Sequence, residues 1–396
     1  MEPAGAGGSV IRANLRVGGG TLARHQLALA LALGCERIIC LARGIDSDVV
    51  ALQHVAEAGG ARFHVVNGPR GLMGLVTNID EVIGMTEGLM AAHGDVASVL
   101  EQGQGVFVQP VETGLAAGFE RIDTRHAAAG IMRLPARLVE RLADLPPDCD
   151  ALSALQRIAL QAGLAQRELP GGLIESGRWL LVRDEIEAHA AEKLWIRLHT
   201  GSAAVKTPTS IIARSVVRAF GPALLHANSG SSALAIGSAA LVLLAFGAAW
   251  FGFSSLALGF AALGWIVGKT GGLLARVEDN ALLHARSLLA NETVFEWLLD
   301  MLLIAIMVMN WPEVGATSPF YRAFPPFMLL ALVRLAPHVM RGEWAAWLGD
   351  RLLLALVLIA ASLAGYLPQA VQLLALLLAI IAIALPEGPG DALQRE

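Results

Sequence analysis

Glu292, Glu296 and Asp300 recur at four-residue spacing, which puts three carboxylates on one face of a helix. That helix runs on into apolar sequence beyond Met301. Before it lies a glycine-rich helix end, GKTGGLLAR (Gly268–Arg276), which carries Lys269 and Arg276. Ionisable side chains at the mouth of a membrane helix are costly, so by default they mark a functional polar site. Lys269 has two readings: a fixed positive charge inside such a site, or a side chain that reaches out to the interface. Further upstream, Arg214 and Arg218 share a face of KTPTSIIARSVVRAFGPALL (Lys206–Leu225). That pair suits either anchoring to lipid head groups or a pocket for phosphate.

These residues must be held by membrane helices. The chain is 55% hydrophobic with a mean hydropathy of +0.58. Charges are scattered as far as about residue 218, whereas Ser231–Val267 and Leu352–Leu385 carry none. A crossing needs roughly 20 apolar residues, so each uncharged run accommodates two. With the runs Phe295–Trp311 and Pro326–Ala336, six spans are expected near 231–251, 255–275, 289–311, 321–338, 345–366 and 369–386, the fourth interrupted by Arg334. Arg276, Arg286, Arg341 and Arg351 fall in loops on one side, which places both termini in the cytoplasm of a multi-pass inner-membrane protein. Met1–Gly20 lacks the apolar core of a signal peptide. Cys35, Cys40 and Cys149 fall in the cytoplasmic half, where reduced thiols are expected. A net charge of −5 identifies no partner, and no nucleic-acid partner is expected.

The first ~200 residues alternate β-like runs with amphipathic helices, the pattern of an α/β domain. Strands are expected at Ser9–Ala13, Arg37–Leu41, Arg62–Val66, Val82–Met85 and Gly105–Gln109, a first long helix at Thr21–Leu33, and a charged helical stretch at Glu175–Thr200. FERID contains Glu120, Arg121 and Asp123, read either as catalytic or as a solvated turn holding an ion pair. The segment Lys206–Leu225 reads as an interfacial helix, with Ile211, Ile212, Val216, Val217, Phe220 and Leu224 apolar.

The run Val17–Ala42, with VIGMTEGLM (Val82–Met90), AAGFERID (Ala116–Asp123) and AGIMRLPARLVERL (Ala129–Leu142), resembles the sugar-phosphate nucleotidyltransferase family. That resemblance implies a Rossmann-like fold and puts Glu87 at the family's acidic metal position. The chain departs from the family where phosphates would be cradled: only Asn14–Arg16 precede the glycine turn, and no lysine occurs before Lys193. Neutralising a triphosphate takes Lys or Arg plus a divalent metal, leaving Arg12, Arg16 and Arg24 as the available cations.

A nucleotidyltransferase-like domain, a juxtamembrane basic helix and six spans resemble the layout of bifunctional inositol-phosphate cytidylyltransferase/phosphatidyltransferase proteins. Their membrane part belongs to the CDP-alcohol phosphatidyltransferase family. The family's S-R-x-x-N-R corresponds to Ala213–Arg218, with Arg214 and Arg218 kept. Its D-x-x-D-G-x-x-A-R corresponds to Gly268–Arg276, with Gly272, Ala275 and Arg276 kept and both aspartates replaced by Gly268 and Gly271. Its later acidic pair corresponds to Glu296 and Asp300. The resemblance implies that Arg214, Arg218, Lys269, Gly272 and Arg276 bind substrate, that Glu296 and Asp300 hold Mg²⁺ or Mn²⁺, and that Asp300 serves as base. It also implies a CDP-linked lipid or alcohol as partner, and a homodimer. Losing two of four hard oxygen ligands leaves few donors for a divalent ion.

The sequence thus divides into a degenerate nucleotidyltransferase-like domain at 1–195, a juxtamembrane amphipathic helix at 196–228, an all-α six-span domain at 229–388 and a tail at 389–396. Two functions remain open: a transferase in phospholipid or sphingolipid head-group metabolism with altered chemistry, or a non-catalytic binder of lipid or nucleotide acting as scaffold. A small-solute transporter lacks the paired broken helices that such proteins show.

Overall fold

The computed structural model describes residues 11–146, 149–201, 207–226, 230–282, 292–311, 319–339 and 343–384. The expected tail 389–396, the loop positions Arg286 and Arg341, Lys206 and the start of the expected strand Ser9–Ala13 lie outside the described residues. The chain is mostly helical with small sheets of mixed sense. It forms two compact units, one built on residues 1–195 and the other beginning at Ile196.

In the first unit a short ribbon, β1 (Arg16–Val17) and β2 (Gly20–Thr21), leads into α1 (Leu22–Ala32). The Thr21 side chain accepts from Arg24 N at 3.3 Å and caps the helix, which ends at Gly34 with φ +77°. β3 (Arg37–Leu41), α2 (Ser47–Ala58) and β4 (Arg62–Val66) form a parallel βαβ step, with Asp46 capping α2. A second sheet orders β5 (Glu81–Met85), β8 (His126–Pro135), β7 (Gly105–Pro110) and β9 (Gln166–Glu168). β8 runs antiparallel to both neighbours, and β7 pairs parallel with β9. With a strand on each side, β8 is buried almost throughout, including Ala129, Ile131 and Leu134.

β6 (Leu89–Ala91) pairs antiparallel with β10 (Trp179–Leu181). Between the strands come α3 (His93–Leu100), α4 (Val111–Ala116) and α5 (Ala151–Gln161), and α6 (Glu185–Gly201) belongs to this unit as far as Trp195. Trp179 is fully buried and its Nε1 donates to Ala129 O at 2.8 Å. This strand replaces the early part of the helix expected from Glu175, because Trp179 gains both a backbone partner strand and a buried acceptor. The described part of Ser9–Ala13 likewise departs from expectation. A 3-10 turn spans Arg12–Asn14, and Ala13 N donates to the Glu87 side chain instead of to a strand ladder.

The second unit is all helical: α7 (Pro208–His226), α8 (Gly230–Trp250), α9 (Ser254–Leu282), α10 (Glu292–Met309), α11 (Pro319–Val339), α12 (Glu343–Leu348), α13 (Arg351–Leu363) and α14 (Leu367–Ala384). Its core gathers Leu258, Trp265, Leu299, Leu303, Ile306, Leu329, Leu358 and Val371. Small residues bring α8 and α9 together. Ser238 Oγ donates to Gly264 O at 2.9 Å, and a Cβ on Gly271 would meet Leu234 Cβ at 3.1 Å.

Among the described residues, three stretches, Gly230–Trp250, Ser254–Val277 and Leu367–Ala384, are long and apolar enough to cross a bilayer. They expose large apolar side chains, among them Ile236, Leu243 and Ile383, as a lipid-facing surface would. The other expected spans fall short of that test for identifiable reasons. α10 carries Glu292, Glu296 and Asp300; α11 carries Arg322, Arg334 and three internal prolines. The expected span at 345–366 is broken at Gly349–Asp350 into α12 and the 13-residue α13.

Candidate functional site

Two of the sequence-predicted acids lie at the centre of a charged cluster in the second unit. Lys269 Nζ on α9 donates to Glu296 Oε1 on α10 at 2.8 Å. One turn along α10, Asp300 accepts two hydrogen bonds from the Arg351 guanidinium, Nε to Oδ1 at 3.1 Å and Nη2 to Oδ2 at 3.0 Å. Arg334 on α11 lies 3.7 Å from Glu296 Oε2 and 3.7 Å from Asp300 Oδ2. Aromatic faces back the cations. Trp265 stacks on Phe295 and lies 4.7 Å from Lys269 Nζ, and the Trp297 ring lies 3.7 Å from the Arg334 guanidinium.

The cluster continues into the juxtamembrane helix. Asp350, which caps α13 by accepting from Leu352 N at 2.9 Å, also accepts from Thr209 N at 2.9 Å and from the Thr209 hydroxyl. Trp265 Nε1 donates to Thr209 Oγ1 at 3.1 Å. The contacts therefore close a circuit through α7, α9, α10, α11 and α13: Thr209, Asp350, Arg351, Asp300, Arg334, Glu296, Lys269 and Trp265. Sequence reasoning missed Thr209, Trp265, Arg334 as a partner, Asp350 and Arg351. Arg351 was read as a loop cation, although its place one residue after an N-cap Asp was the available signal.

The remaining predicted residues sit elsewhere on the same helices. Arg276 is exposed, two turns beyond Lys269 on the same face of α9. Arg214 is half-buried and Arg218 exposed on α7, beside the buried stripe Thr209, Ala213 and Val217. A Cβ on Gly272 would meet nothing within 4 Å, so that position faces open space.

The residues do not fit the expected divalent ion. At the two former aspartate positions, Phe295 packs so closely on Gly268 that a Cβ there would come within 2.2 Å of its ring, and Gly271 is packed against Leu234. On α10, both carboxylates already have cationic partners from the chain. A Mg²⁺ site demands several hard oxygens around one point, and this arrangement surrounds the oxygens with ammonium and guanidinium groups instead. Among the described residues, no group of three or more His, Cys, Asp or Glu side chains is placed to hold a metal.

In the first unit, a cavity of about 970 Å³ is lined by the facing edges of β3 and β5 together with Arg12, Gln26, Glu87 and Arg183. Glu87 accepts the Ala13 N–H at 2.9 Å and follows β5 in a tight turn. The turn depends on Gly88, at φ +89°, where a Cβ would lie 2.3 Å from Val182 O. The Gly18 turn is likewise filled from within the unit: Gly18 N donates to Glu192 at 3.1 Å and Trp195 covers it. In FERID, Arg121 Nε donates to the Asp123 backbone carbonyl at 2.9 Å, and the Asp123 side chain turns to the residues that follow. Asp123 accepts from Arg125 N and His126 N at 2.7 and 2.8 Å and pairs with the His126 ring, and these bonds hold its carboxyl well below the ordinary range. Cys35, Cys40 and Cys149 are free thiols, and burial raises the first two above the usual thiol value.

No family model matches the chain, and no curated protein matches it.

Proposed function

We propose that this is an integral membrane protein related to the CDP-alcohol phosphatidyltransferases whose second unit binds a phosphate-bearing lipid or CDP-linked lipid without metal-dependent group transfer. The reading keeps the expected layout: six crossings, with α10, α11 and α12–α13 joining the three apolar helices, both termini cytoplasmic in the inner membrane, and a nucleotidyltransferase-like remnant in front. The motif residues Gly272, Ala275 and Arg276 and the arginine pair Arg214/Arg218 support the relation. One observation carries the loss of metal chemistry: Asp300, the position expected to act as base and metal ligand, is clamped by both arms of Arg351 in a buried pair. A carboxylate so held is neither a free ligand nor a ready proton acceptor, since releasing it strands a buried cation.

The test uses the purified full chain in phosphatidylcholine nanodiscs. Binding of CDP-diacylglycerol is expected to be the same with Mg²⁺ and with EDTA, and no head group is expected to be transferred to any alcohol acceptor. Mg²⁺-dependent transfer that disappears in a folded Asp300→Asn protein would overturn the proposal in favour of an active transferase.

A further inference from the structure

Two strand edges of the first unit face each other across its cavity. β3 pairs along one edge with β4: Glu36 O accepts from Arg62 N and Ala42 N donates to Val66 O, each at 2.9 Å. Bonding alternates along a strand, so Ile38 and Cys40 also turn to β4, and the N–H and C=O of Arg37 and Ile39 turn the other way. β5 pairs along one edge with β8, where Thr86 N donates to Gly130 O at 2.8 Å and Ala136 N to Asp80 O at 3.1 Å. The same alternation turns the peptide groups of Glu81, Ile83 and Met85 away from β8. Among the described residues neither outer edge has a neighbouring strand, and both line the cavity of about 970 Å³.

The space between these edges is covered on both faces. Ile38 packs into the cluster of Leu27 and Leu52, and Ile39, next along β3, into the cluster of Leu72, Val139 and Leu155. Successive strand residues point to opposite faces, and side chains of both clusters line the cavity. Peptide groups so enclosed need partners, because a buried unpaired N–H or C=O costs about as much as a lost hydrogen bond. A strand supplies them, since it presents donors and acceptors along both of its edges. Burial pushes the Cys40 thiol up, and the Glu87 carboxylate just past β5 adds to the rise, so the ends of β3 and β5 share one mouth. The chain passes that mouth: Arg12 and Ala13 line the cavity, and Ala13 N donates to Glu87 at 2.9 Å.

We propose that Ala4–Val10, which lie outside the described residues, seat in this slot as an extended strand parallel to β3 and β5. The direction follows from the chain leaving at the Glu87 mouth, where β3 and β5 also end. The length suffices: edges of five residues span about 17 Å, and seven extended residues reach roughly 23 Å. The composition suits a place enclosed on both faces, since the chain carries no charge from Pro3 to Ile11. Pro3 has no N–H to give, so the ladder begins after it. Attachment at Ile11 holds the segment beside the slot at high effective concentration, ahead of a strand from another molecule. The pair β3–β4 and the sheet β5–β8–β7–β9 then become one sheet.

Hydrogen exchange of the full chain in nanodiscs reads the slot directly. The Ile39, Ile83 and Met85 amides are expected to be protected, and to exchange about a hundredfold faster or more once Ala4–Ser9 is deleted. The Met132 amide in β8 stays slow in both proteins if the remaining sheet is folded. A second measurement needs no deletion. Gly8→Cys, Ser9→Cys and Val10→Cys, made singly, are oxidised against the free thiol of Cys40, within disulfide reach of an adjacent strand about 4.8 Å away. Peptide mapping is expected to find the link at Ser9 alone or at Gly8 and Val10 alone, the alternation of a strand. Links at all three positions, or at none, overturn the inference, as do fast Ile39 and Ile83 amides in the unaltered chain. Protection that survives the deletion, or disulfides between two chains, assigns the slot to another molecule and overturns it equally.

Discussion

Asp300→Asn is the most informative single change, because it separates a structural carboxylate from a catalytic one. In the wild type, Asp300 and Arg351 are both nearly buried and joined by two hydrogen bonds of 3.0 and 3.1 Å. The amide removes the negative charge but leaves the guanidinium where it was, with Gly349 O at 2.7 Å and the Trp265 ring centroid at 5.9 Å. Breaking a buried pair from one side costs about 3–5 kcal/mol. At roughly 2–4 °C per kcal/mol for a unit of this size, the melting temperature should drop by roughly 6–20 °C. Replacing both partners, as Asp300→Leu with Arg351→Met, removes the stranded charge and should recover most of that loss, because an apolar pair of similar volume avoids the desolvation cost. Tryptophan fluorescence during thermal unfolding in nanodiscs reads both proteins. If Asp300→Asn melts with the wild type, or the double variant melts lower than the single, the Arg351 clamp is not what holds Asp300, and its carboxylate is available to a metal.

Other outcomes follow from the same contacts. Thr209→Val should destabilise the second unit by about 1–3 kcal/mol by leaving the buried Asp350 carboxylate and Trp265 N–H short of a partner, and Thr209→Ser should restore it; hydrogen exchange across α7 distinguishes the two. Gly268→Ala drives a Cβ into the Phe295 ring and should cost about 1–3 kcal/mol as overpacking, whereas Gly272→Ala meets open space and should leave the melting temperature unchanged. Gly88→Ala should impair folding of the first unit through both its left-handed φ of +89° and the contact with Val182 O, measured as loss of soluble monodisperse protein. Because the folded Asp123 carboxyl lies below its unfolded value near 3.9, its contribution is present above about pH 4 and vanishes as the pH falls through the folded value; Asp123→Asn should flatten acid unfolding below about pH 4, followed by circular dichroism.

Much of the fold was legible locally. Arg37–Leu41 and Arg62–Val66 read as strands because β-branched and apolar residues are bounded by Gly34, Gly44 and Gly60, and they pair along their full lengths. The first helix was read at Thr21–Leu33 with Gly34 after it; the structure makes Thr21 its cap and Gly34 its left-handed stop, both of which depend on neighbours in sequence alone. The helix expected from Glu175 failed because strand formation at Trp179 is decided by Leu89–Ala91, some ninety residues earlier, which no local pattern records. Six spans were read from hydropathy; among the described residues three helices are long and apolar enough to cross a bilayer, and charges on α10 and arginines and prolines on α11 interrupt the apolar runs of the others.

For the candidate site, periodicity alone determined that Glu296 and Asp300 share a helix face and that Lys269 and Arg276 lie on one face of the preceding helix, because 3.6 residues per turn orders side chains without reference to anything else. Only tertiary packing decided what those faces meet. Residues far apart in the chain, Arg334 and Arg351, arrive beside the two carboxylates, and Phe295 fills the space over Gly268. The meaning of a carboxylate in an apolar bundle rests on which cation neutralises it, and that partner is supplied by the way helices pack, which leaves no trace at the carboxylate's own position in the sequence.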